Sequence, residues 1–362
     1  MNKKPRVGLW RVLTILCAVL CIGSIVGNHF ANQYATTINV ALGTSFSKIQ
    51  GFDESVKYFE SDFENEDARW EYERELCAQV ESEGAALLKN DNQALPLAGG
   101  SKVSLFARGS VELMYGGTGS GSVDTSQAPS LKDALTQEGI EINQGLWDWY
   151  TSTSEKYGRK TPASISDALV ANTQYAVNEA PWSEVESANS STFAEYGDAA
   201  IVVFSRSGGE GADLPDGDDS VSLVTTTEAK SAVGDNNGGE QNADAPKTAD
   251  VHYGKGSEGD GDYLALSQEE KDLLAGLKAL KDNGTFKKIV VLLNTSNAIE
   301  LDFLNPEICG VDYGIDSCMW IGDVGQTGAI GVGRLLSGTA NPSGSLVDTY
   351  WYDNMKNPAV VN

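Results

Sequence analysis

A chain of 362 residues is long enough to bury a substantial core in one large domain or two. It carries 51 acidic residues against 26 lysines and arginines, a formal net charge of −25, and a field of that sign repels nucleic acid and anionic surfaces while suiting neutral or cationic ligands. The five cysteines show no metal-ligand spacing, and the two histidines fall beside the first apolar run (His29) and in a polar loop (His252), so neither a metal site, a cofactor nor chemistry built on a core histidine is expected.

Basic residues in MNKKPRVGLWR precede an uncharged run of 16 residues, VLTILCAVLCIGSIVG. As a helix this run spans about 24 Å, slightly under a hydrocarbon core of about 30 Å, and Trp10 and Arg11 extend it by snorkelling. Residues 1–31 are therefore read as a cytoplasmic tip and membrane segment, embedded through residues 9–27. The lack of a clean A-x-A-like site favours a retained anchor over a cleaved signal, and the basic flank sends the rest of the chain outward. Neither Cys17 nor Cys21 follows the small residue that a lipoprotein signal needs.

Residues 32–65 read as an extracytoplasmic spacer, and 66–352 as the main domain. A helix is predicted from Glu66 to about Leu88, with Trp70, Arg74, Cys77, Val80, Gly84 and Leu87 on the face turned to a sheet. Strands are predicted at VSLFA (103–107), AAIVVFS (199–205), KIVVLLN (288–294), ICGVDYG (308–314) and CMWIG (318–322). Continuous Val, Ile and Leu runs mark strands covered on both faces, which implies a doubly wound, mostly parallel α/β sandwich. Helices are predicted at 130–139, at 267–284, where Ser267 and Glu270 form a capping box, and at 325–338.

Between Pro215 and Asp262 the chain is rich in Gly, Asp, Ser, Thr and Asn and is expected to be a solvated, disordered insertion. Its DGDD and DGD runs lack the continuation of an EF-hand loop, which argues against calcium. Cys77, Cys309 and Cys318 are expected as buried free thiols, a Cys309–Cys318 disulfide being the alternative. Residues 353–362 read as a tail or linker.

The strongest chemical signal is the AAIVVFS run opening into RSGGEGAD, which displays Glu210 between glycines at a strand's carboxyl end. Taken alone, Glu210 is one acid among many in an acidic loop. Four segments in consistent order add to it: EGAALLKNDNQALPL (83–97), SRSGGEGAD, KIVVLLNTSNAIEL (288–301) and WIGDVGQTGAIGVGRLLSGTANPSGSLVDTYW (320–351). Together they resemble the C-terminal α/β domain of family 3 glycoside hydrolases, the β-glucosidase group, over roughly residues 66–352.

The resemblance implies that Glu210 is the catalytic acid/base of a retaining mechanism acting on β-linked glucosides, xylosides or oligosaccharides. It also implies that the nucleophilic aspartate sits on a separate (β/α)8 barrel, for which this chain has neither the strand-helix series nor the room. Some family members place the sandwich before the barrel, a layout that fits a front part of a longer enzyme with the barrel in cis or in trans. The Gly/Ser loop YGGTGSGSVDT (115–125) is implied to border the sugar pocket, with Gly117, Ser120 and Gly121 as contact residues; a plain βα connection is its alternative. A phosphate loop is disfavoured, since GTGSGS is neither GxGxxG nor GxxxxGK[ST]. Asp213 is followed by Leu214 where family members often have Arg, so Arg206 is the candidate to orient the loop, and both Arg206 and Asp213 are counted with the substrate-binding residues. A non-catalytic, membrane-tethered carbohydrate-binding module is the alternative function.

Overall fold

The computed structural model describes residues 7–35, 38, 61–159, 175, 177–209 and 263–357. The chain divides into two units, Met1–Asp62 and Phe63–Asn362. In the first, α1 (Val7–Gln33) is one unbroken helix, and its segment Trp10–Gln33 is long and apolar enough to cross a membrane, with mean hydropathy 2.0.

In the second unit, α2 (Glu66–Gly84) starts where the Asn65 side chain accepts from the Ala68 amide. It leads into β1 (Ala86–Asn90). There follow β2 (Lys102–Phe106), α3 (Leu131–Gln137), the two-residue β3 (Glu141–Ile142), α4 (Gln144–Ser152), α5 (Trp182–Phe193) and β4 (Ala199–Arg206). After the undescribed stretch come α6 (Gln268–Asp282), β5 (Ile289–Thr295), β6 (Ser317–Trp320) and α7 (Ala329–Ser337). The six strands lie in the order β1-β6-β5-β4-β2-β3. All neighbours are parallel except β1, which runs antiparallel to β6 with Ala86 opposite Trp320.

Alternation along β4 builds both faces of the core. Ala200, Val202 and Phe204 pack with Leu146, Tyr150, Val185, Phe193, Leu273 and Leu277 from α4, α5 and α6. Ala199, Ile201 and Val203 pack with Leu131, Leu135, Val332, Leu335 and Leu336 from α3 and α7. Both central strands, β4 and β5, are buried along their whole length, and each fully buried Val, Leu or Phe contributes about 1.5–3 kcal/mol. The capping box predicted at Ser267 forms, the hydroxyl accepting from Glu270 N while the Glu270 carboxylate accepts from Ser267 N.

Three expectations differ from the structure. Residues 86–88, read as the end of a helix, are instead in the edge strand β1, because Ala85 turns extended and the residues after it pair with β6. The predicted strand at 308–314 is a short helix, Pro306–Cys309, closed by the left-handed Gly310 and followed by coil. The face of α2 expected to be buried is largely open, with Trp70 48% and Val80 63% exposed. Ala78, Glu81 and Ser82 are buried in its place, because a Cβ at Gly328 or Gly331 of the α7 segment would collide with the α2 backbone or with Glu81. Closeness of approach, not hydrophobic periodicity, fixes which side of α2 packs. Cys77, Cys309 and Cys318 are free, and of these Cys318 is buried.

Candidate functional site

The carboxyl ends of β2, β4, β5 and β6 share one edge of the sheet, the edge at which ligands sit in open α/β folds. The loop after β2 and the loop after β4 meet there. Thr118 and Gly209 form a parallel bridge, and Thr118 N donates to Gly208 O at 3.4 Å. A side chain at Gly117 would press on Gly208 O at 2.9 Å, and one at Gly208 on the Asn297 amide at 2.7 Å. Gly209 has φ +151, and a Cβ there would overlap the Thr118 backbone. Glycine at these positions lets the two loops touch. Gly209→Ala is expected to destabilise the domain by about 1–3 kcal/mol and to part the loops, read as a lowered urea midpoint; an unchanged midpoint would refute the packing argument.

Three side chains fasten this rim from below. Asn294, fully buried on β5, accepts from Met114 N at 2.6 Å and Ser205 Oγ at 3.1 Å, and donates to Met114 O at 3.0 Å and Gly322 O at 2.7 Å. Tyr263 OH accepts from Ser207 N at 3.0 Å, and Tyr175 OH lies 3.0 Å from Thr118 Oγ1. Neither tyrosine nor Asn294 stood out in the sequence: an Asn inside an apolar run was the available signal, since a buried amide needs partners on both sides.

Arg206 ends β4 and is completely buried. Its guanidinium pairs with both Glu270 carboxylate oxygens, at 2.9 and 2.7 Å, and donates to Tyr263 O, Ala265 O and Ser205 O at 2.6, 2.6 and 3.0 Å. The expectation of a substrate-facing Arg206 thus differs from its position: it ties the strand end to the cap of α6. Glu210 and Asp213 lie outside the described residues, as does the acidic insertion with its DGDD and DGD runs. The chain reaches Gly209, immediately before Glu210, inside the docked pair of loops. Gly117 is part-buried in that pair, whereas Ser120 and Gly121 sit exposed on the short helical turn Gly119–Gly121.

The rim also collects buried charge. Arg108 N donates to Glu179 Oε2 at 2.5 Å and Ala180 N to Glu179 Oε1 at 2.9 Å, yet desolvation dominates and pushes Glu179 up to about 7. Burial lowers Arg159, with Glu112, Tyr263 and Asp323 pulling it back. Burial raises Asp323, with Ser296 and Arg159 opposing. The folded Glu179 keeps a proton that the unfolded chain loses near 4.5, so its stabilising contribution is complete below about pH 4.5 and is lost as pH rises to about 7. Stability is expected to fall by about 3 kcal/mol from this group across that window. Urea unfolding of Glu179→Gln beside the parent checks it: the variant should show a shallower slope, and equal slopes would refute it. Among the described residues no group of three or more His, Cys, Asp or Glu is placed to hold a metal.

A doubly wound, mostly parallel sheet with two glycine-bearing loops docked at its carboxyl edge defines an α/β sandwich domain of the open-sheet class. The sequence profile described as the glycosyl hydrolase family 3 C-terminal domain matches residues 85–361, and the chain belongs to that family. It is 29% identical over 280 residues to Beta-glucosidase A of Butyrivibrio fibrisolvens, covering 76% of this chain and 28% of that protein. It is 26% identical over 298 residues to a Beta-glucosidase of Ruminococcus albus, covering 81% and 24%. The chain thus spans about a quarter of the length of these relatives. Among solved structures, the β-glucosidase from Paenibacillus barengoltzii superposes with a TM-score of 0.54 at 24% identity, over 80% of this chain and 25% of that one. β-Glucosidase 3B from Thermotoga neapolitana gives 0.54 at 24% identity, over 80% and 32%. These likenesses show the fold.

Proposed function

We propose that this chain is the acid/base portion of a retaining, β-glucosidase-like hydrolase, held at a membrane by α1 with its α/β domain on the extracytoplasmic side. Glu210 protonates the glycosidic oxygen as the aglycone leaves, and its carboxylate then takes a proton from the water that releases the sugar. The nucleophilic aspartate, about 5–5.5 Å away in such a pair, is carried by a (β/α)8 barrel downstream in the same polypeptide or on a partner chain. Gly117, Ser120 and Gly121 border the sugar, Asp213 is the second acid of the loop, and Arg206 works beneath the loop as its anchor. The substrate is a β-linked glucoside or short oligosaccharide, a neutral ligand suited to a chain of net charge −25.

The observation that carries this reading is the Thr118–Gly209 bridge, which seats the glycine loop beside the residue preceding Glu210. The membrane part rests on the length and hydropathy of Trp10–Gln33. The test is hydrolysis of 4-nitrophenyl β-D-glucoside by the native protein in its own membranes, with an antibody to residues 199–213 reporting its mass. Turnover in a band well above 38.5 kDa supports the reading. A 38.5 kDa species that binds saccharide without turnover replaces it with a tethered carbohydrate-binding module.

A further inference from the structure

Between α2 and the loop that follows β6 lies a cleft of about 590 Å³ that the proposed glycosidase chemistry does not use. Leu76, Val80, Trp320 and Val324 give it apolar walls, and Glu73, Glu81 and Asp323 give it carboxyl groups. Glu81 is just over nine-tenths buried, with 9% exposure, and its Oε1 has no hydrogen-bond partner among the described residues; Asp323 Oδ1 has none either. Burial alone pushes Glu81 up to about 8, with no neighbouring cation to oppose it. An orphan carboxyl on a helix costs stability that a leucine would not, so its presence points to a ligand that completes it.

The lining decides the ligand's chemistry. It contains no Lys, Arg, Asn or Gln. The side-chain donors it does hold are engaged: Trp320 Nε1 with Thr295 O at 2.8 Å, Cys77 Sγ with Val324 O at 3.9 Å, and Ser296 with Asp323. Once Glu81 gives up its proton, above about pH 8 or to a bound cation that favours the carboxylate, the free side-chain capacity of the wall is acceptor-only. A sugar hydroxyl both donates and accepts, whereas an ammonium or guanidinium only donates. A metal ion is disfavoured, because no three ligands converge among the described residues. At the mouth, Glu73 is already paired with Arg69 at 3.3 Å, which leaves Glu81 as the inner acceptor.

We propose that this cleft binds an alkylammonium or alkylguanidinium group, its charge on Glu81 and Asp323 and its stem along Leu76, Val80 and Trp320. The group is either a free amine or the side chain of a lysine or arginine in a polypeptide. This inference stands without the hydrolase reading: Asp323 lies on the same rim, but Glu81 on α2 has no part in the proposed Glu210 chemistry.

The experiment is thermal unfolding of the full chain in detergent with n-butylammonium chloride, Nα-acetyl-lysine N-methylamide, 1-butanol or sodium chloride at matched concentrations. Either cation is expected to raise the melting temperature by about 3 °C near ten times its dissociation constant, with the alcohol and sodium ineffective. Glu81→Gln and Glu81→Leu should remain folded, melt higher than the parent near pH 8, and lose the response. A lysine derivative several-fold tighter than butylammonium identifies a polypeptide side chain as the source; equal affinities identify a free amine. A response to 1-butanol equal to that of the cation, no response to either cation, or an undiminished response in Glu81→Gln overturns the proposal.

Discussion

Replacing Arg206 by methionine is expected to destabilise the domain by about 3–5 kcal/mol. The change leaves the Glu270 carboxylate, also almost fully buried, without its guanidinium, and it leaves the carbonyls of Tyr263 and Ala265 without their donor. Breaking one half of a buried pair strands a charge, whereas replacing both halves by apolar groups does not. The double change Arg206→Met with Glu270→Leu should therefore recover a large part of the loss, although it also removes the carboxylate half of the α6 capping box. Chemical denaturation of the parent, both singles and the double decides the matter. If the single and double variants unfold at the same midpoint, the pair is not what holds the strand end to α6.

Glu210→Gln in the catalytically complete enzyme is expected to lower kcat for a poor leaving group, such as an alkyl glucoside, by about 10²–10⁴-fold. The amide keeps the size of the side chain and removes the proton it delivers. A dinitrophenyl glucoside, whose leaving group needs no protonation, should be affected far less in its first step. The limb of the pH profile that reports the acid should also vanish. Full activity on alkyl glucosides in this variant would falsify the assignment, and an equal loss on both substrates would point to a misplaced loop. Asp213→Asn in parallel separates the two acids: its leaving-group dependence should match that of the parent.

Much of the sheet was legible because its information is local. The runs at 199–205 and 288–294 are too apolar for anything but doubly covered strands, and the Ser267/Glu270 box announces its helix within four residues. What was not legible depends on partners distant in the chain. Ala86–Asn90 becomes a strand because β6 offers it an edge more than 200 residues later, a fact that its helix-like spacing conceals. The buried side of α2 is chosen by glycines on α7. Arg206 looked like a ligand-binding cation because it stands beside a catalytic-type motif; its partner Glu270 looked like a cap and nothing more, and the two meet only when β4 and α6 pack. Of the site, the glycine loop and the strand end were readable from spacing, while Asn294, Tyr175 and Tyr263 carry no motif and gain meaning from what surrounds them.

Asn294 has a mechanical consequence. One amide group grips both backbone atoms of Met114 and the carbonyl of Gly322, so the strand-end loops of β2 and β6 are coupled through a single rigid plane. A displacement of Gly322, next to Asp323 in the acidic cleft, is transmitted to the segment that leads into Gly117. If the cleft takes the cation proposed for it and the glycine loop a sugar, this plane would link the two, each then altering the affinity of the other by the same factor. Severing that amide would uncouple the two strand-end loops and leave Met114 N, Met114 O and Gly322 O without their Asn294 partner.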